Sequence, residues 1–211
     1  MQITNCNLSK RVQKKLLEFF VLQVTTRFAA DILSIQSNSA ILHRKIRQVI
    51  SRYLTPAADE IFNAPAGLDE SCFGGHRKGK CGRGAAGKAA VFGILKRHNQ
   101  VDTVVTGNVE FETLVPVIKK KTMPDSIVYT DGLSSCGKPD VSGFTHHRIN
   151  HSKAFADCQN HINGMENFWN QAQRVLRKYN VIDRKSFPLF LKKSGFRFQL
   201  QHTVPAAKNA A

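Results

Sequence analysis

The stretch His161–Lys178, His-Ile-Asn-Gly-Met-Glu-Asn-Phe-Trp-Asn-Gln-Ala-Gln-Arg-Val-Leu-Arg-Lys, constrains this chain more than any other. At helical spacing, Met165, Phe168, Trp169, Ala172, Leu176 and Tyr179 fall on one apolar stripe. Glu166 lies at the edge of that stripe, with Gln173 below it two turns on. Almost every other exposed position of the helix is Asn, Gln, Arg or Lys. A lone carboxylate beside a buried face, on an otherwise basic helix, adds little to solubility. It suits holding a metal ion against a polyanion.

Charge points the same way. The chain carries 31 Lys+Arg against 15 Asp+Glu, a formal +16 over 211 residues. That excess exceeds what solubility requires and favours a nucleic-acid or anionic-membrane partner. No run of about 18 apolar residues occurs, so a membrane span is excluded and nucleic acid is the expected partner. The first residues lack the charged-then-apolar layout of a secretory signal, so a cytoplasmic location is expected. Cys6, Cys72, Cys81, Cys136 and Cys158 form no C-x-x-C pair and are read as reduced thiols rather than zinc ligands.

Residues 1–55 read as helical and strongly basic. Ser9 can cap a first helix through Val12, Leu16, Phe19 and Phe20. Thr25 or Thr26 opens a short second one. Gln36–Ser39 reads as a turn and cap before a third helix from Ala40 to about Leu54, with Leu42, Ile46, Ile50 and Leu54 on its apolar stripe. Arg44, Lys45, Arg47 and Arg52 lie off that stripe. Three short helices with a basic third one resemble a helix-turn-helix DNA-binding unit, although a plain bundle with a solvated basic face has the same pattern. Residues 56–67 read as a linker, 68–200 as a second domain and 201–211 as a disordered tail.

The second domain reads as strands at 68–73, 89–95 and 102–106, a helix at 112–121, strands at 126–131 and 145–149, then the opening helix and a last short element at 187–198. Pro116 is placed early enough to sit near the first turn of its helix. This order suits an α/β mixed sheet flanked by helices. Between the first two strands lies a Gly-rich segment with Arg77, Lys78, Lys80, Arg83 and Lys88 and no acid. Such a segment cannot build core, but it can lay cations and backbone N–H groups along phosphates. It is not a Walker A loop, because no Gly-Lys-Ser/Thr follows the glycines.

Three acids stand out: Asp69 in the first strand, Asp131 ending the fourth, and Glu166 on the helix. Carboxylates from adjacent strands and a packed helix can converge on two divalent cations about 3.5–4 Å apart. Oxygen ligands of this kind suit Mg²⁺ or Mn²⁺. Taken singly, each acid also has an ordinary reading as a turn or surface charge.

Long motifs at these positions resemble those of bacterial insertion-sequence transposases of the family numbered fifteen ninety-five. They are Leu-Asp-Glu-Ser-Cys-Phe-Gly-Gly-His-Arg-Lys-Gly-Lys (68–80), Gly-Arg-Gly-Ala-Ala-Gly-Lys (82–88), Asp-Ser-Ile-Val-Tyr-Thr-Asp (125–131), Arg-Ile-Asn-His-Ser-Lys (148–153), Phe-Ala-Asp (155–157) and Asn-His-Ile-Asn-Gly-Met-Glu-Asn-Phe-Trp-Asn-Gln-Ala (160–172). The resemblance implies a ribonuclease-H-like core with an acidic triad of Asp69, Asp131 and Glu166 as catalytic and metal-binding residues. It implies a protein that binds terminal inverted repeats of double-stranded DNA, cleaves the ends and joins 3′-ends to target DNA with Mg²⁺ or Mn²⁺, as a homo-oligomer when two ends are synapsed. Asn163 matches a supporting polar position one turn before the third acid. The family usually carries a phosphate-contacting Lys where this chain has Gln173, with Arg174 and Arg177 as substitutes nearby. That departure motivates an alternative, a catalytically inactive copy that only binds DNA. A ribonuclease-H-like nuclease is the third reading.

Overall fold

The computed structural model describes residues 7–36, 41–59, 61, 66–74, 88–96, 99–108, 110–124, 126–131, 145–149, 159–179 and 182–203. Three helices come first: α1 (Lys10–Val21), α2 (Thr26–Ile32) and α3 (Leu42–Asp59). Strands β1 (Ala66–Phe73), β2 (Ala89–Leu95) and β3 (Val101–Thr106) follow, then α4 (Phe111–Lys121), β4 (Ile127–Asp131), β5 (Thr145–Ile149), α5 (Gln159–Leu176) and α6 (Phe187–Thr203). The five strands make one sheet in the order β3-β2-β1-β4-β5. β1, β2 and β3 pair antiparallel, whereas β4 and β5 join β1 in parallel. The architecture is thus the expected α/β mixed sheet with helices.

Each face of the sheet has its own core. Ala66, Leu68, Phe92, Ile94 and Val128 pack against Leu114 and Ile118 of α4. Phe73, Val91 and Leu95 pack on the opposite face against Met165, Phe168, Trp169, Ala172 and Leu176 of α5 and Phe187, Leu191 and Phe198 of α6. β2 is covered on both faces, which is why its sequence is a continuous apolar run rather than an alternation. Lys119, Lys120 and Lys121 close α4, where cations complement the helix dipole. Pro116 lies inside that helix, beyond the expected first turn, and removes one bond of its ladder.

At the edge of the sheet, Asp102 of β3 ties both layers together. Its two oxygens meet Lys192 of α6 at 2.8 Å and Lys121 of α4 at 3.1 Å. Burial raises the Asp102 carboxyl, but the two lysines outweigh that and hold it below its ordinary value.

The helical unit starts as expected, with the hydroxyls of Ser9 and Thr25 accepting the backbone N–H groups of Val12 and Phe28. Leu16, Ala29, Ala30 and Leu42 form its small core. A second cluster, Phe20, Ile50 and Leu54, is completed by Phe196 of α6, so the helices share a core with the sheet domain. Two boundaries move. α3 continues through Pro56 to Asp59, and β1 opens at Ala66, so the stretch expected as a linker from 56 to 67 is helix at one end and strand at the other. α6 reaches Thr203, three residues into the stretch expected to be disordered from 201. The expected turn at 36–39 lies, beyond Gln36, outside the described residues.

Gly93 sets how closely α5 approaches the sheet. A Cβ there would lie 1.8 Å from Met165 Cε and 2.6 Å from Trp169 Cζ2. The Gly93→Ala variant is expected to lose about 1–3 kcal/mol in urea unfolding, as an overpacked core does. Gly107→Ala, where nothing lies within 4 Å, is expected to lose none.

Candidate functional site: an acid-bearing sheet face under a basic helix

β1 brings a polar ladder to the face covered by α5. Asp69, Ser71 and Phe73 alternate onto that face, and each meets the helix or its neighbours. Trp169 Nε1 donates to Asp69 Oδ2 at 3.0 Å, and the Trp169 ring lies edge-on to Phe73 at 5.7 Å between centroids. One turn further along α5, Gln173 Nε2 donates to Ser71 Oγ at 3.1 Å. Met165, one turn before Trp169, lies over Gly93, the β2 partner of Asp69. Residues 165, 169 and 173 therefore track along the β1–β2 ladder at the helical repeat.

Asp69 is half-buried and accepts from two N–H groups, Trp169 Nε1 on one oxygen and the Glu70 backbone N–H on the other at 2.8 Å. Both contacts fix the orientation of the carboxyl group against α5 and its own strand. Asp131 ends β4. The β1–β4 register pairs Leu68 with Thr130, so Asp69 and Asp131 take neighbouring positions at the next step of the parallel ladder. The side chain of Asp131 lies outside the described residues. Glu166 is exposed on α5, one turn before Trp169, which is about 4.5 Å along the helix axis. Asn163 is exposed one turn earlier still. Among the described residues no group of three or more His, Cys, Asp and Glu side chains is assembled closely enough to hold a metal. The residues available at this face, Asp69 and Glu166 with the backbone position of Asp131 beside them, offer oxygen ligands, a donor set that fits Mg²⁺ or Mn²⁺.

The sequence-predicted cations divide into three groups. Arg174 and Arg177 are exposed on and just after α5, Arg44 is exposed on α3, and Lys45 and Lys88 are half-exposed. Arg77, Lys78, Lys80 and Arg83 lie outside the described residues. Arg47 is a correction. It is only 5% exposed, so it is not a surface contact for DNA. Its guanidinium stacks on Phe190 at 3.9 Å and donates to the Tyr179 hydroxyl at 3.3 Å. The apolar stripe of α3 is wider than the sequence suggested, because that helix is covered by α6 as well as α1.

Gln173 also lines a groove of about 880 Å³ at the end of β1, together with Lys88, Arg177, Arg184 and the edges of Phe73, Tyr179 and Phe187. The basic Gly-rich segment leaves the chain at Gly74 and rejoins it at Lys88, both on the rim of this groove. Three participants escaped the sequence reading. Trp169 had been assigned only to the core stripe, although a buried indole N–H requires an acceptor and so signals one. Gly93 showed only as a glycine within an apolar run. Arg184 carried no signal.

The ISXO2-like transposase domain matches residues 64–199, the whole sheet and its helices. The chain belongs to that transposase family. It is similar to an uncharacterized transposase-like protein of Haemophilus influenzae, 52% identical over 99 residues, which are 47% of this chain and 80% of the relative. No helix among the described residues is long and apolar enough to cross a membrane.

The bond between Trp169 and Asp69 is open to a double-mutant cycle. Trp169→Phe is expected to cost about 1.5–3 kcal/mol, the range for a hydrogen bond to a charged group. The cycle with Asp69→Ala, which removes the acceptor, should return a coupling of similar size, and strict additivity would contradict the contact.

Proposed function

We propose that this chain is the transposase of an insertion sequence. In this reading it binds the terminal inverted repeats, cleaves DNA at the element ends and joins the freed 3′-hydroxyls to target DNA. The observation that carries it is the neighbouring placement of Asp69 and Asp131 on the central strands, with α5 bound to Asp69 one turn from Glu166. The sheet order, three antiparallel strands followed by two parallel ones, supports a ribonuclease-H-like core.

Asp69, Asp131 and Glu166 would hold Mg²⁺ or Mn²⁺. Bound there, the metal would activate the attacking water or 3′-hydroxyl and stabilise the leaving oxygen. The chain's own residues set the stage. Trp169 fixes the Asp69 carboxylate in place. Asn163 extends the polar surface of α5 by one turn toward its N-terminus. Arg174 and Arg177 supply positive charge along the same helix, where a DNA backbone would be neutralised. Arg44 and Arg52, exposed on α3, supply charge to a helix-turn-helix-like unit that grips the repeat. A homo-oligomer would bring two ends together.

A second reading, DNA binding without catalysis, is favoured by one contact. Gln173 stands where the resemblance leads one to expect a phosphate-gripping lysine, and its amide is spent on Ser71. That reading predicts salt-sensitive binding to the repeats with no Mg²⁺-dependent nicking.

The test is cleavage of a donor-end duplex with Mg²⁺. Wild type should nick at the element end, and Asp69→Asn, Asp131→Asn and Glu166→Gln should each lose at least about a hundredfold in rate while retaining end binding, as expected when a group that stabilises developing charge is removed. Equal cleavage by all four proteins would sink the triad. Tight binding by wild type with no cleavage would favour the inactive copy.

A further inference from the structure

Lys193 of α6 is used by none of this chemistry. It is 4% exposed, and the charged groups that act on it, Arg47, Arg197 and Lys178, are all cations. Its ammonium lies 4.1 Å from the centroid of the Phe20 ring and reaches the Phe20 carbonyl only at 3.5 Å. Across Phe20, His43 is held toward its neutral form, first by burial, while its Nε2 meets the Leu16 carbonyl at 3.0 Å. Burial, and then the surrounding cations, bring Lys193 down to about 7. Among the described residues no carboxylate meets this ammonium, and a buried charge without a partner is expensive to keep. It indicates a negative group that arrives from outside.

There is a place for one. A cavity of about 20 Å³ opens where α5, α6 and the turn between α1 and α2 meet, with Lys193, Arg197, Gln171 and Gln23 on its polar side and Phe168 and Val175 on its apolar side. It has room for one water-sized group. The turn is fastened at this point, because Arg197 Nη1 donates to the Val21 carbonyl at 2.5 Å. With its amide oxygen toward the guanidinium, Gln23 accepts from Arg197 Nε at 2.8 Å. Outside the cavity, α5 and the turn after it expose Asn167, Asn170, Arg174 and Lys178 to solvent.

We propose that this cavity is an anion site that admits one oxygen of a phosphate group, with Lys193 and Arg197 supplying the charge, and that the phosphate belongs to a DNA backbone crossing the seam between the helical unit and the sheet. The second half rests on the DNA-binding reading above. The first half does not. A charged oxygen in the cavity satisfies Lys193, and it touches α5, α6 and the α1–α2 turn at once. DNA bound in this way reports its presence to the helix that carries Glu166.

The experiment follows the Lys193 ammonium by NMR in the full chain labelled with ¹³C at lysine Cε, its signal assigned by its disappearance in Lys193→Met and in Lys193→Gln. Without anion the midpoint is expected near the value of about 7 set by the site. Inorganic phosphate and a short DNA duplex should each raise the midpoint, and Arg197→Gln should weaken the phosphate response about tenfold, the loss of one charge-assisted hydrogen bond. A midpoint that neither phosphate nor duplex moves overturns the site, and an equal response to chloride overturns its assignment to phosphate. A response to phosphate but not to a duplex that demonstrably binds overturns the DNA assignment. A response to phosphate from a chain that binds no duplex upholds the anion site and overturns the DNA-binding reading instead.

Discussion

The hydrogen bond from the Trp169 indole to the Asp69 carboxylate holds this molecule to its purpose. It is made across a sheet–helix interface that Gly93 keeps unusually close. The indole ring and Met165 fill the space a side chain at 93 would occupy, so packing and polar recognition occur on the same few atoms. A charged acceptor makes the bond stronger than a neutral one, and partial burial weakens competition from water. The consequence is geometric. The helix that carries Glu166 cannot slide along β1 without breaking that bond and the Gln173–Ser71 bond one turn away.

A second dependence runs through α6. Its one side completes the core under the sheet through Leu191 and Phe198, and its other side completes the helical unit through Phe196. Asp102 fastens α6 to the sheet edge and, through Lys121, to the layer on the opposite face. Arg47 and Lys193 fill the seam between the units with cations stacked on the aromatic rings of Phe190 and Phe20. The helical unit therefore does not hang from a linker. Any displacement of α1 or α3 is felt by α6, and through α6 by α5.

Much of this was legible in the residues. The stripe on α5, the continuous apolar run of β2, the caps at Ser9 and Thr25 and the order of strands and helices follow from periodicity and local hydrogen bonding, which act over a few residues. What was not legible depends on distant partners. Arg47 read as a surface cation because its own helix offers no hint that α6 covers it. The stretch after Leu54 read as a linker because Pro56 and the alanines suggest a break. Alanine is in fact the strongest helix former, and one proline was tolerated inside α3. The three acids were singled out by their residue types and the order of elements. That Trp169 is the group that links one of them to α5 required the register of β1 against the helix, which no local pattern contains.

The central claim is that Asp69, Asp131 and Glu166 form one metal site beside Trp169, the chain's single tryptophan. Mn²⁺ quenches indole fluorescence only at close range, so titrating the chain with Mn²⁺ while recording Trp169 emission tests the claim directly. The account predicts saturable quenching, reversed by excess Mg²⁺ and strongly weakened in Asp131→Asn and Glu166→Gln, both of which leave Asp69, the hydrogen-bond acceptor of Trp169, in place. Quenching no greater than that of free tryptophan, or unchanged in both variants, would contradict it.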